Sequence, residues 1–379
     1  MRTALKLSIA ASMLLGCGED LADVAPTLET YGALAEAEYE DSLTAADALA
    51  AAIDAFTADP TEASLRDARD AWIAARDPYL QTEAYRYYGG PIEQGDPEHE
   101  GELNNWPIDE SVIDYVRDGE GERLDTGIVN DDTVIDGATL RAENTAAGET
   151  AVTTGYHPIE FLLWGQDDPA LEGAGMRPAS DYVDAPNAAR RATYLGVAAG
   201  LVQEELAAVL AEWRDEPGTY RRAMVEGAPR DGLRDVLTGL AEMSGPELAG
   251  ERIGVALITG DQEDEHSCFS DNTHREIAMD ALGVQNVYLG RYVRLDGSTV
   301  SGPSLSDLVR SRDADLDDRM RAQLEETARL AGALPGPFDE MILQREGREQ
   351  LDAVVASLRA QVRIIVEIAA LFEITLNVE

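Results

Sequence analysis

Cysteine and lysine are nearly absent from this 379-residue sequence, which holds 2 cysteines and one lysine, Lys6. Cys17 and Cys268 cannot build a disulfide framework, so packing must hold the fold. Basic residues are scarce as well: 30 lysines and arginines against 73 aspartates and glutamates give a formal net charge of −43. Nucleic-acid binding is excluded because it needs a basic surface, and the same holds for charge-driven binding to an anionic membrane. The electrostatic field of so acidic a chain attracts cations as ligands.

Long apolar runs are also missing. The run at residues 7–15 is too short to span a bilayer, which takes about 20 apolar residues, but it fits the core of an export signal. It ends in Leu-Leu-Gly-Cys, which resembles a bacterial lipobox, so we expect residues 1–17 to be a lipoprotein signal with Cys17 acylated. Gly18, rather than aspartate, follows the cysteine, which indicates the outer membrane facing the periplasm. No later segment is expected to cross a membrane, so the lipid would be the chain's membrane contact.

Helical patterns dominate the remainder. From Gln350 to Leu376, apolar residues recur in alternating steps of four and three, which predicts a helix with one buried stripe. Thr61 is a suitable cap for a helix after Asp59-Pro60. Similar helical composition covers residues 188–213 and 319–334. Strand-like alternation is restricted to two short stretches, residues 127–135 and 287–295.

These patterns predict an all-α protein of two helical-bundle domains packed side by side, with irregular loop insertions. A break around Pro217 and Gly218 places the N-terminal bundle at residues 25–215 and the C-terminal bundle at residues 216–379.

The first candidate site is the segment Gly-Tyr-His-Pro-Ile-Glu at residues 155–160. Pro158 suits the first helical position, so we expect His157 at the N-cap and Glu160 at the third helical position. An imidazole and a carboxylate so placed can share a divalent cation. The alternative is purely structural, with His157 as a cap and Glu160 balancing the helix dipole. The zincin motif is excluded because Pro158 replaces its glutamate.

A second cluster follows one face of a helix in steps of four and three residues: Trp72, Arg76, Tyr79, Glu83 and Arg86. Buried charges must be paired, so two interpretations stay open. The cluster is either a structural ion-pair network or the wall of a polar pocket, with Glu83 as a metal ligand and Arg86 holding a carboxylate.

The densest set of potential ligands lies at residues 261–274, with Glu265, His266, Asp271 and His274 as candidates. Cys268 is either a soft ligand or simply buried. Thr273 and Glu276 form a T-x-x-E capping box, and Gly283 is expected to end that helix. The upstream Gly250-Glu251-Arg252 triplet is interpreted as the start or the cap of the preceding helix.

Long segments of the sequence resemble the imelysin-like family, in its iron-regulated protein A branch. They are GYHPIEFLLWG, GERI, DQEDEHSCFSDNTH and AWIAARDPYLQTEAYRYYGGPIE. The family motif G-x-H-x-x-E falls on Gly155, His157 and Glu160, and the similarity runs from about residue 27 to the end. The resemblance implies two helical bundles, export to the envelope, a site at the domain interface near His157 and Glu160, and a link to iron supply. It also implies a peptidase label, because the family takes its name from a described protease.

Three functions are carried forward. The favoured function is an envelope lipoprotein that binds a divalent or ferric metal ion. Iron is the favoured metal and zinc is the alternative. An iron-transport protein of the envelope is the expected partner. The expected metal ligands are His157, Glu160, Glu83 and His266, and the expected binding residues are Arg76, Arg86, Glu265, Asp271 and His274.

The second function is a metal-dependent peptidase, with Glu83 or Glu265 as general base and Arg86 stabilising charge. The third is a metal-free module that binds a peptide, a glycan or a protein. The spacing of the residues leaves open whether the chain is an enzyme.

Overall fold

The computed structural model describes residues 21, 23–118, 120–167 and 174–377, so the predicted signal and Cys17 lie outside the described residues. The described chain is all-α, as predicted, with two small hairpins. The α-helices are α1 Ala25–Ala58, α2 Glu62–Gln81, α3 His99–Leu103, α4 Gly127–Asn130, α5 Gly137–Glu143, α6 Tyr156–Trp164, α7 Ala188–Trp213, α8 Tyr220–Glu226, α9 Pro229–Glu242, α10 Gly254–Thr259, α11 Thr273–Leu289, α12 Leu305–Arg310, α13 Ala314–Ala331, α14 Phe338–Leu343 and α15 Arg345–Leu371.

A π-helix, Met243–Arg252, continues directly from α9. The antiparallel hairpins pair β1, Val116–Arg117, with β2, Arg123–Leu124, and β3, Arg291–Val293, with β4, Thr299–Ser301.

The N-terminal half is built on α1, which packs along both α2 and α7. Thr61 caps α2 as predicted: its hydroxyl accepts a hydrogen bond from the Ser64 amide at 3.1 Å. α7 is long and apolar enough to span a membrane by length and composition, but 56% of its most apolar window is buried inside the protein. A core helix passes the same test, and Arg191 of α7 is buried against Asp114 at 2.5 Å.

The C-terminal half packs α15 against α13, α14 and the π-helix. The predicted stripe on α15 is confirmed, since Leu351, Val355, Leu358 and Ile365 are all buried. One hydrophobic core runs through both halves, and α2 packs on α11 to join them. The domain boundary near residue 216 stays a prediction.

Of the two strand predictions, one is wrong and the other is confirmed in part. Residues 127–135 were expected as a strand, yet Gly127–Asn130 is a helical turn, because its apolar pair Ile128 and Val129 is buried together rather than alternating. The strand expected within residues 287–295 is limited to Arg291–Val293, since α11 continues to Leu289.

Gly283 was expected to end a helix, but it lies inside α11 at the contact with α2. A Cβ atom at this position would lie 2.3 Å from the carbonyl oxygen of Gln81. The glycine therefore lets two helix backbones approach, and the helix ends instead at Gly290, which has a left-handed φ of 61°.

We expect Gly283→Ala to destabilise the protein by about 1–3 kcal/mol, because backbone rather than a flexible side chain must move. The matched control is Gly200→Ala in α7, where a Cβ atom meets nothing within 4 Å and alanine should stabilise the helix by up to about 1 kcal/mol. Urea unfolding of both variants measures the difference. Equal stability of the two would contradict the close approach of α2 and α11.

Candidate metal centre

The predicted site residues meet where α2, α6 and α11 pack together with the segment at residues 261–272. α6 starts at Gly155, whose φ of 94° suits glycine. A Cβ atom there would lie 2.4 Å from the Leu103 carbonyl oxygen, so the chain must turn on a glycine. Gly155 is thus the N-cap, and the prediction that His157 caps the helix is wrong by two positions. The predicted approach is confirmed, with His157 Nδ1 3.0 Å from Glu160 Oε2.

Glu160 is fully buried and held at both oxygens. Its Oε1 atom accepts hydrogen bonds from the Ser270 amide at 2.9 Å and the Ser270 hydroxyl at 2.7 Å. Burial, followed by the nearby charge of Glu276, raises the pKa of Glu160 to about 8. This carboxyl group can therefore gain or lose a proton near neutral pH. Ser270 carried no signal in the sequence that set it apart from other serines.

The second imidazole, His266, is paired with Glu276 on α11, at 2.6 Å between Nδ1 and Oε2. Arg76 donates to the other oxygen of Glu276 at 2.7 Å and to Asn104 Oδ1 at 2.6 Å. Burial alone would raise the pKa of Glu276, but Arg76 and His266 hold it well below its usual value. Glu276 is therefore an ionised partner of His266.

The capping box predicted for α11 is wrong. Asn272 is the N-cap, and the Thr273 hydroxyl accepts a hydrogen bond from the Ser267 amide at 2.9 Å. With Asn272 as the N-cap, Glu276 lies one position beyond the third helical residue that a capping box uses. Its oxygens accept hydrogen bonds from the side chains of Arg76 and Asn272 instead.

The two imidazoles lie side by side, with ring centroids 4.9 Å apart and planes at 76°. Burial lowers the pKa of both to about 3, so both are neutral. In each ring Nδ1 faces a carboxylate oxygen, and that contact places the proton on Nδ1 when the carboxylate is ionised. Nε2 then carries a free lone pair, and His157 Nε2 is buried without a hydrogen-bond partner among the described residues. A carboxylate behind Nδ1 and a free Nε2 is the usual arrangement of metal-binding histidines.

Trp106 lies between His266 and the surface. Its indole ring packs edge-on to the His266 ring at 5.4 Å, and its Nε1 donates to the Glu265 carbonyl at 3.0 Å. Its outer side lines an open groove of about 760 Å³, formed with residues 105, 107 and 145–150. The groove therefore reaches Trp106, which in turn packs against His266.

An ion-pair network adjoins the imidazoles. Arg252, at the end of the π-helix, contacts Glu83, Asp280 at 3.1 Å and Glu247 at 2.8 Å. Arg86 contacts the same Glu83 oxygen at 2.6 Å. Burial would raise the pKa of Glu83, but the two guanidiniums hold it at about 2. Glu83 therefore serves as their counter-ion, and the helix-end interpretation of Arg252 missed its buried partners.

The remaining predicted binding residues lie on the other side of the 261–272 segment. The carboxylate oxygens of Glu265, Asp271 and Asp339 lie within 4.8 Å of one another. Asp339, on α14, was missed because no neighbouring motif marks it. His274 instead faces the Asp271 carbonyl, with Nδ1 at 3.1 Å.

The comparisons with known proteins match this architecture. The imelysin family model covers residues 35–365. The chain belongs to the imelysin family. It is similar to iron-regulated protein A of Synechococcus elongatus, at 24% identity over 378 residues, which cover 96% of this chain and 90% of that protein.

Two solved structures share the fold of this imelysin. A putative iron-regulated protein A precursor from Parabacteroides distasonis has a TM-score of 0.72 at 20% identity, over 94% of this chain and 97% of that one. An imelysin-like protein from Psychrobacter arcticum has a TM-score of 0.63 at 13% identity, over 93% and 98%. Both likenesses concern the fold.

Proposed function

We propose that this imelysin binds a metal ion through His157 and His266, with iron as the favoured metal and zinc as the alternative. The observation that carries the proposal is the pair of buried neutral imidazoles, each with Nδ1 against a carboxylate. Burying a ring nitrogen without a partner costs free energy, and a cation at Nε2 would recover it. Imidazole and carboxylate donors suit iron and zinc.

The geometry divides the roles of the predicted ligands. Glu160 and Glu276 orient the imidazoles and supply negative charge, which keeps the rings basic enough to bind a cation. Arg76 fixes Glu276 from behind. Arg86 and Arg252 compensate the charge of Glu83, so its carboxylate is less available as a metal ligand than the imidazoles are. Its contribution is to the electrostatic potential around the site.

The cellular role follows from the sequence signal and from the relatives. We infer export, acylation of Cys17 and attachment to the outer membrane facing the periplasm, where the acidic chain would capture cations. The name of the Synechococcus relative, iron-regulated protein A, supports a link to iron supply. In this role the protein would hold iron near the membrane and pass it to a transport partner.

The test is elemental analysis of the purified protein after loading with ferrous iron or with zinc. We expect about one equivalent of metal in the wild type and a loss of affinity of more than tenfold in His157→Ala and in His266→Ala. His99→Ala is the matched control, because His99 pairs with Glu205 at 2.5 Å outside this network.

His157→Gln keeps the side-chain volume and guards against simple misfolding, which circular dichroism would detect. Equal metal content in His157→Gln, His266→Ala and wild type would refute the imidazole site.

A further inference from the structure

The carboxylate group formed by Glu265, Asp271 and Asp339 has an unusual environment. Glu265 has an exposed fraction of 0%, yet neither of its carboxylate oxygens has a hydrogen-bond partner among the described residues. Oδ1 of Asp271 and Oδ1 of Asp339 also lack partners within that part of the chain. The oxygens of the three residues nevertheless lie within 4.8 Å of one another, so Glu265 points into the cluster.

Three converging carboxylates repel one another unless positive charge or protons compensate them. The donors near the cluster are neutral: Gln262 Nε2 contacts Asp339 Oδ2 at 2.6 Å, the Thr273 hydroxyl lies near Glu265, and the Ala174 amide lies near Asp271. The other charged neighbours of Asp271, namely Glu160 and Glu340, are acidic as well. Burial first, and then the charges of Asp271 and Asp339, raise the pKa of Glu265 well above its usual value. Burial first, and then the charges of Asp339, Glu160 and Glu340, raise the pKa of Asp271 to about 7.

We propose that Glu265, Asp271 and Asp339 bind a hard divalent cation of the Ca²⁺, Mg²⁺ or Mn²⁺ class. The donor set is oxygen alone, without imidazole or thiolate, which is the set these ions prefer. Such an ion would supply the positive charge and the partners that the buried oxygens lack.

This site is separate from the imidazole pair. Glu265 has an extended backbone, with φ −87° and ψ 135°, so its side chain and that of His266 leave the chain in opposite directions. His266 faces Glu276 while Glu265 faces α14. The cation would tie α14 to the segment that carries His266 and Ser270, and would thereby order the imidazole site from behind.

Isothermal titration with Ca²⁺ and with Mn²⁺ tests the proposal, at about 150 mM salt to screen the acidic surface. We expect one saturable equivalent in the wild type and at least a tenfold weaker affinity in Asp339→Asn. Glu340→Gln is the matched control, since it removes the same charge from the same short helix without removing a ligand, and its affinity should stay within about threefold. His157→Ala should bind the cation as the wild type does.

Absence of saturable binding of both ions would overturn the proposal. An equal loss in Asp339→Asn and Glu340→Gln would also overturn it, because binding would then reflect charge alone. Loss in His157→Ala would place the titrated ion at the imidazole pair instead. Asp271→Asn, at a half-buried position, serves as a second variant if Asp339→Asn fails to fold. Because iron loading is measured separately, either site can fail without the other.

Discussion

Arg252→Met is expected to destabilise the protein by about 3–5 kcal/mol. The side chain of Arg252 is 3% exposed and contacts Glu83, Asp280 and Glu247. Its removal leaves the buried, ionised Glu83 with Arg86 alone. It also takes the guanidinium from Asp280, whose pKa burial raises well above its usual value, so that group can respond by holding a proton. The effect is large because the ionised carboxylate of Glu83 stays buried with one guanidinium fewer to compensate its charge. Methionine keeps much of the length of the side chain, so a cavity contributes little.

Urea unfolding at neutral pH measures this effect, beside Arg329→Met as the control. Arg329 pairs with Glu326 at 2.7 Å on the exposed side of α13, where both side chains are about half exposed or more. Such surface pairs contribute little to stability, because water and salt screen the two charges. A loss below about 1 kcal/mol for Arg252→Met would contradict the role of Arg252 as a required counter-ion of the buried Glu83.

The sequence predicted those parts of the molecule that depend on near neighbours. The alternating spacing of Leu351, Val355 and Leu358 predicts the buried face of α15, since the helix period alone decides it. The three-residue spacing of His157 and Glu160 likewise brings their side chains together on α6 even though the helix begins two residues earlier than expected.

The parts that the sequence did not predict depend on residues far apart in the chain. Arg76 and Glu276 are 200 residues apart, and nothing local reveals that they meet. One local signal was moreover misleading, because Glu276 completes an apparent capping box. Arg252 does end a helix, but its position there does not reveal its buried partners Glu83 and Asp280. Both residues contact buried opposite charges that are distant in the sequence, and a helix-terminal contact worth about 1 kcal/mol does not indicate them.

Gly283 shows the same competition at the level of the backbone. A glycine inside a helical pattern normally suggests its end, because glycine weakens a helix by about 1 kcal/mol. Here Gly283 lies so close to Gln81 of α2 that there is no room for a side chain at this position. Only knowledge of the packing partner separates these two meanings of one residue.

Metal affinity at the imidazole pair is expected to rise about 50-fold between about pH 6 and pH 8. The pKa of Glu160 is raised to about 8, so below that pH its carboxyl group is mostly protonated and donates to His157 Nδ1. The remaining proton of the imidazole then occupies Nε2 and blocks the lone pair. Metal binding at Nε2 must expel one proton, so affinity gains almost tenfold per pH unit until Glu160 ionises.

The metal-free protein should show the opposite trend in stability. The folded pKa of Glu160, about 8, exceeds the ordinary value of 4.5, so the folded state holds an extra proton between these values and loses stability as pH rises toward 8. The pKa values of His157 and His266 are lowered to about 3, so their contribution changes only below about pH 6.5. Between about pH 6.5 and 8, the titration of Glu160 alone should lower the free energy of unfolding by about 1.5 kcal/mol.

Glu160→Gln separates this carboxyl group from the other acids whose pKa values are raised, such as Asp271 and Glu263. The amide cannot ionise, so the variant should lose the Glu160 share of the stability change and the steep pH dependence of metal affinity together. Titrations of iron and urea unfolding in chelator, each at several pH values, measure both. If the metal affinity of Glu160→Gln rose with pH as steeply as that of the wild type, the proton released on metal binding would come from another group. The proposed coupling of His157 to Glu160 would then be wrong.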